Sequence, residues 1–127
     1  MIELPSSFID SLNLSTEAKE ALVIALNLDP VYSIRQNPFK QHNLFKDEEQ
    51  VPWSKEGRYL RERPSFVADP LFHAGVYYSQ EASSMFLEQI LKAIDLKAKT
   101  VLDLCASPGG KSTHISALLP KSAFLVA

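Results

Sequence analysis

"TVLDLCASPGGKSTHISALLPKSAFLVA", residues 100–127, decides the fold. "TVLDLC" is apolar and reads as a strand of the buried type. "GGKSTHISALL" opens on two glycines and runs as a helix, and "SAFLVA" reads as a second buried-type strand. Strand, Gly-rich turn, helix and strand make one βαβ unit. Neither strand alternates cleanly, as expected where a parallel sheet is covered on both faces. The class is α/β.

The turn itself, "DLCASPGGK" (103–111), admits three uses. A phosphate-binding G-x-x-x-x-G-K-[ST] loop would take Gly110, Lys111 and Ser112 as its tail. Its first glycine would then fall on Cys105, where the backbone turn needs glycine, and Pro108 removes an N–H donor. A cofactor loop would use Gly109 and Gly110 for close backbone approach. The positive end of the following helix and Lys111 would then meet a carboxylate. The third use is a turn with no ligand. Cys105 is a nucleophile or metal ligand on one reading, and a small buried residue at a strand end on the other. His42, His73 and His114 are dispersed and show no metal-ligand spacing.

Upstream, Ser15 or Thr16 caps a helix running to about Asn27, with Leu22, Val23, Ala25 and Leu26 as its apolar face. Pro30 and Pro38 fence a short strand. "FKQHNLFKDEEQ" (39–50) is a loop or short helix. In "VPWSKEGRYLRERPSF" (51–66), Tyr59, Arg61 and Arg63 alternate with Leu60 and Glu62, which predicts a half-exposed strand with a basic face. "DPLFHAGVYYSQ" (69–80) reads as loop and short strand. "EASSMFLEQILKAI" (81–94) reads as a helix whose Leu87, Ile90, Leu91 and Ile94 form one apolar stripe. "DLKAKT" (95–100) is a connector.

The chain has 127 residues, 46% hydrophobic and 22% charged, which fits an ordered globular chain. The net charge of -2 gives no global attraction to nucleic acid, so any such binding needs a local patch. Lys55, Arg58, Arg61 and Arg63, interleaved with Trp53 and Tyr59, are that patch; the alternative is a solvated face paired with Glu56 and Glu62. One cysteine forbids an internal disulfide and suits a reducing cytosol. The N-terminus carries no secretory pattern, and no apolar run approaches the roughly 20 residues of a membrane helix. The apolar end "SAFLVA" predicts a piece of something longer.

"DLCASPGGKSTHIS" (103–116) resembles the cofactor motif of the Sun-type RNA (cytosine-5) methyltransferases, which include bacterial ribosomal-RNA methylases. "YSIRQNPFK" (32–40), "VPWSKEGRYLRERP" (51–64) and "GVYYSQEASSMF" (75–86) are similar to further segments of that family, in family order. The resemblance implies an N-terminal α/β region, residues 1–70. Residues 71–127 would then be the start of a Rossmann-like, S-adenosylmethionine-dependent core. It implies that Cys105, Ala106, Ser107, Pro108, Gly109, Gly110 and Lys111 wrap the methionine part of that cofactor. Ser107 stands where alanine is frequent. The catalytic cysteine is expected beyond residue 127, so this chain alone is expected to be inactive. The partner implied is RNA, ribosomal in the first instance, and the compartment the cytosol. The segments around Arg35 and "QEASSM" (80–85) are either couplers between regions or contacts. The competing function is a non-catalytic RNA-binding or interaction module; the reading frame past residue 127 separates the two.

Overall fold

A computed structural model describes residues 4–40, 42–94 and 100–127. The expected connector therefore lies, but for Thr100, outside the described residues. The chain divides into two compact units, Met1–Pro30 and Val31–Ala127.

The first unit holds α1 (Ser6–Ser11) and α2 (Thr16–Leu26). Ser15 caps α2 as expected, its side-chain oxygen accepting the Ala18 N–H at 3.3 Å. Of the expected apolar face, Leu22 and Val23 are half-buried, while Ala25 and Leu26 are exposed.

The second unit is built on an antiparallel sheet of order β2–β1–β3, from β1 (Tyr32–Gln36), β2 (Gly57–Leu60) and β3 (Tyr77–Ser79). β1 is the central strand, paired with both neighbours, and four of its five residues are buried. Ile34, Leu60, Val76 and Tyr77 form one core, closed by Tyr32, Leu44, Phe45, Phe66 and Phe72. Val51, Ala82 and Met85 form a second, against Trp53 and Tyr59. Gly57 is required there: a Cβ would fall 2.7 Å from Met85 Sδ and 2.8 Å from Val51 Cβ. The expected division at residue 70 falls between β2 and β3 of this one sheet.

Three expectations need correction. The basic strand stops at Leu60, so Arg61 follows it in a bend, Arg63 lies in irregular chain beyond, and neither shares a strand face with Tyr59. Between residues 69 and 80 a short helix, α3 (Pro70–His73), precedes β3; Asp69 caps it by accepting the Leu71 N–H at 2.8 Å, and Pro70 supplies a fixed φ. The helix expected over 81–94 is a 3-10 turn (Ser83–Phe86) followed by α4 (Leu87–Ala93). Its apolar stripe is not the buried side: Ile90 and Ile94 are 51% and 61% exposed, while Glu88 is 2% exposed.

β4 (Thr100–Leu102) and β5 (Phe124–Val126) run parallel, joined through α5 (Gly110–Leu118), which is the expected βαβ unit. Leu102 and Phe124 are more than 60% exposed, so these strands are not buried among the described residues.

Polar groups fill the space between α4 and α5. Glu88 accepts from Ser54 Oγ at 2.8 Å and Lys92 Nζ at 2.6 Å, and from the Lys55 N–H at 3.4 Å. His114, 2% exposed, places Nε2 3.4 Å from the same carboxylate. A carboxylate only accepts, so Nε2 carries the proton and the buried Nδ1 has no partner among the described residues. Burial tends to raise the Glu88 carboxyl, but its hydrogen bonds from Lys92, Ser54 and Lys55 hold it below its ordinary value.

Burial, reinforced by Arg35, holds the His114 imidazole below its ordinary value of 6.5 against the opposing pull of Glu88. A base depressed in this way stabilises the fold fully above its unfolded value. That stabilisation is lost as pH falls through the lower folded value. The urea midpoint is therefore expected to drop between about pH 7.5 and about pH 5.5, and His114→Gln is expected to narrow the drop. An undiminished drop in that variant would assign the effect elsewhere.

Candidate functional site

β4 delivers the chain at Leu102 into the loop 103–109, and α5 begins at Gly110. The loop is tied from within. Asp103 donates its N–H to the Val126 carbonyl at 2.8 Å, which holds the strand end in place. Its carboxylate accepts the Ser112 hydroxyl at 2.7 Å and the Cys105 N–H at 3.0 Å. These bonds, Ser112 first, hold the Asp103 carboxyl below its usual range, with Lys111 assisting. The Gly109 N–H reaches the Ala106 carbonyl at 2.6 Å.

Gly109 has φ +106°, and a Cβ added to it would meet no atom within 4 Å. The glycine is thus needed for its backbone angle, and the space before it is open. The N–H groups of Gly110, Lys111 and Ser112 have no acceptor among the described residues. They are the free donors of a nine-residue helix, aimed where an anion is favoured. Cys105 is exposed, which corrects the buried alternative. Ala106, Gly109 and Gly110 are half-buried, while Ser107, Pro108 and Lys111 are exposed.

The antiparallel sheet braces this loop from behind. Tyr78 Oη donates to the Pro108 carbonyl at 3.2 Å, and Gly110 passes so close that a Cβ would lie 3.3 Å from Tyr78 Cε1. Gln80 Nε2 and Arg35 Nη2 both approach the Gly110 carbonyl at 3.4 Å. Arg35 also donates to Gln80 Oε1 at 2.8 Å and Thr113 Oγ1 at 2.7 Å. Burial lowers the Arg35 guanidinium to about 10, so it is still a cation at neutral pH. The segments around Arg35 and Gln80 are therefore couplers between sheet and loop. The residues that sequence reading missed are Tyr78 and Thr113, together with the Asp103–Ser112 staple. The available signal was an arginine in mid-strand between Ile34 and Gln36, and a glutamine directly after Ser79.

The basic cluster is dispersed and partly neutralised. Arg58 Nη1 donates to the carbonyls of Lys55 at 2.9 Å and Gly57 at 2.6 Å. Arg61 donates to the Asp47 carbonyl at 3.0 Å and lies 3.8 Å from Glu48. Lys55 lies 3.8 Å from Glu56, and Arg63 sits 5.8 Å over the Tyr32 ring. The open groove of about 880 Å³ beside Arg61 is lined by Trp53 and Tyr59, but also by Asp47, Glu48, Glu49 and Glu81. Among the described residues, no three His, Cys, Asp or Glu side chains are grouped to hold a metal ion, and no helix is long and apolar enough to cross a membrane.

Comparison with known proteins adds the family. Residues 4–82 match the model described as the N-terminal domain of 16S rRNA methyltransferase RsmF. Ribosomal RNA small subunit methyltransferase F of Shewanella frigidimarina is 38% identical over 79 residues, covering 61% of this chain and 16% of that protein. Its counterpart in Vibrio vulnificus is 30% identical over 149 residues, covering 99% of this chain and 30% of that protein. The chain thus spans between about a sixth and a third of the length of these relatives. A methyltransferase homolog protein from Pyrococcus horikoshii, solved by crystallography, superposes with a TM-score of 0.64 at 28% identity. That match covers 96% of this chain and 47% of the other. The resemblance to Sun-type RNA methyltransferases is borne out, and the chain belongs to the family of the N-terminal domain of 16S rRNA methyltransferase RsmF.

Proposed function

We propose that this chain is the N-terminal part of an S-adenosylmethionine-dependent RNA (cytosine-5) methyltransferase that acts on ribosomal RNA in the cytosol. Residues 71–127 then begin its Rossmann-like core. The observation that carries the reading is the loop before α5: a glycine at φ +106° with open space before it, followed by three N–H donors that have no acceptor among the described residues. That donor set fits the carboxylate of the cofactor's methionine part. Cys105, Ala106, Ser107, Pro108, Gly109, Gly110 and Lys111 would hold it, with the exposed Lys111 adding a cation. When bound, S-adenosylmethionine supplies the methyl group. Lys55 and Arg61, with side chains 83% and 77% exposed, and the exposed Arg63 keep their heads available for RNA phosphates, while Arg58 mainly braces its own turn.

Methylation at carbon 5 of cytosine needs a thiolate to add to carbon 6. The chain's single cysteine, Cys105, belongs to the cofactor loop, and the reading assigns the thiolate to a cysteine outside these residues. Incubated with labelled S-adenosylmethionine and unmodified ribosomal RNA, the chain is expected to transfer no label. Transfer to cytosine above background would overturn that assignment. The cofactor itself is tested by titrating it into ¹⁵N-labelled chain: shifts confined to residues 105–112 support the reading, and none would remove it.

A further inference from the structure

Gly109 carries the loop's one backbone angle that an L-side chain resists, yet nothing about glycine favours that angle over others. It is selected when the peptide planes on both sides of Gly109 are held, and the Gly109 N–H, bonded to the Ala106 carbonyl at 2.6 Å, holds the first. The Gly109 carbonyl accepts two bonds from a single residue: the Thr113 N–H at 2.9 Å and the Thr113 hydroxyl at 2.7 Å. A threonine hydroxyl has one proton and can donate it elsewhere; Thr113 Oγ1 also lies 3.3 Å from the Gly110 carbonyl. Arg35 Nη2, 2.7 Å from Oγ1, is a donor only and occupies a lone pair of that oxygen. With the lone pair taken, the hydroxyl proton is directed toward a carbonyl, and Gly109 offers the shorter bond.

The guanidinium is fixed in turn. Arg35 is 5% exposed, its Nε bonds Gln80 Oε1, and Gln80 is held by its own carbonyl accepting Ser33 Oγ at 2.7 Å. Every member stands on β1, on α5 or on the segment just after β3. A short hydrogen bond from a charged, buried donor is stronger than one between neutral groups and polarises the next bond in line.

We propose that Arg35 and Thr113 act as a positioning relay: Arg35 orients the Thr113 hydroxyl, which clamps the Gly109 carbonyl and so pre-forms the loop that receives the cofactor. The proposal deepens the cofactor reading and rests on it for its consequence, since an unclamped loop is competent for only part of the time and its apparent affinity falls by that fraction.

The test is made on the whole chain with two readouts. The first is the ¹H–¹⁵N heteronuclear NOE of Gly109, Gly110 and Lys111, which needs no cofactor. The second is the dissociation constant for S-adenosylmethionine from the NMR titration. Thr113→Val, which keeps the shape and β-branching but removes the hydroxyl, is expected to lower those NOEs and weaken binding about tenfold. Thr113→Ser restores both. Arg35→Lys keeps the charge but not the fork, and is expected to match Thr113→Val. The double variant should be no worse than either alone, because two members of one relay are not additive. Should Arg35→Lys fail to fold, Thr113→Val against Thr113→Ser decides alone. Wild-type NOEs in Thr113→Val would overturn the relay whether or not the cofactor binds. Lowered NOEs in a chain whose wild type ignores S-adenosylmethionine would keep the clamp and sink the cofactor reading instead.

Discussion

Gly109→Val is expected to weaken S-adenosylmethionine binding by about 100-fold, the largest loss from any single change in the loop. The reason is not crowding within the chain, since a Cβ at residue 109 meets no atom within 4 Å. The reason is φ +106°, which a β-branched residue adopts only at high cost. Holding a non-glycine residue in such a region costs on the order of 1–3 kcal/mol, and a two-branched Cβ stands at the upper end. A loop that is native-like in roughly one molecule in a hundred binds with an affinity reduced by that factor. The Cβ would also enter the open space that the cofactor is proposed to fill. Lys111→Ala should cost far less, about 2–5-fold, because an exposed cation beside a helix end contributes only about 0.3–1 kcal/mol. A phosphate-binding loop predicts the reverse order, with Lys111→Ala the severe change and Mg²⁺-nucleotide the ligand. Titrating both variants with both ligands separates the two. Unchanged S-adenosylmethionine affinity in Gly109→Val would refute the assignment of the loop.

The loop was legible in the sequence because its signals are local. Two glycines between the apolar run "TVLDLC" and a stretch free of glycine and proline up to Leu119 place a strand, a turn and a helix without reference to distant residues. Ser15 before Thr16 and the prolines at 30 and 38 worked in the same way. What stayed hidden depends on partners far along the chain. Glu88 sits where helical periodicity puts a solvent-facing charge, and its burial is set by Ser54 and His114, which are 34 and 26 residues away. Arg35 looked like a candidate contact or coupler; only the fold shows that its guanidinium reaches Thr113, 78 residues on. The alternation through Arg63 was real as a pattern, but β2 ends at Leu60, and alternation by itself carries no stop signal. Asp69 followed by Pro70 is a readable cap, yet it opens a helix of only four residues, too short for any periodicity to announce it.

Glu88→Ala is expected to be the most destabilising single substitution in α4, by about 3–5 kcal/mol. Two accounts of this residue differ in size. As the i,i+4 partner of Lys92 on a helix surface, it would contribute only about 0.3–0.5 kcal/mol. The 2.6 Å bond to Lys92 fits that account, and Lys92 is indeed half in solvent, with its side chain 56% exposed. But the Glu88 side chain is 3% exposed and faces three further donors: Ser54 Oγ, the Lys55 N–H and His114 Nε2. Removing the carboxylate leaves Ser54 and His114, both buried, without their acceptor, at about 1–3 kcal/mol for each unsatisfied group, and adds a cavity. The second account therefore wins by several-fold. In a unit of this size, 1 kcal/mol shifts the melting midpoint by about 4–8 °C, so Glu88→Ala should melt more than about 12 °C below wild type. Lys92→Ala should shift it by no more than about 4 °C, since it leaves the carboxylate its other three partners. Glu88→Gln, which keeps one acceptor for Ser54 or His114, should fall between them. A Glu88→Ala chain melting within a few degrees of Lys92→Ala would mean that the pair with Lys92 is all the residue contributes, and that the groups around His114 find water when the carboxylate is gone.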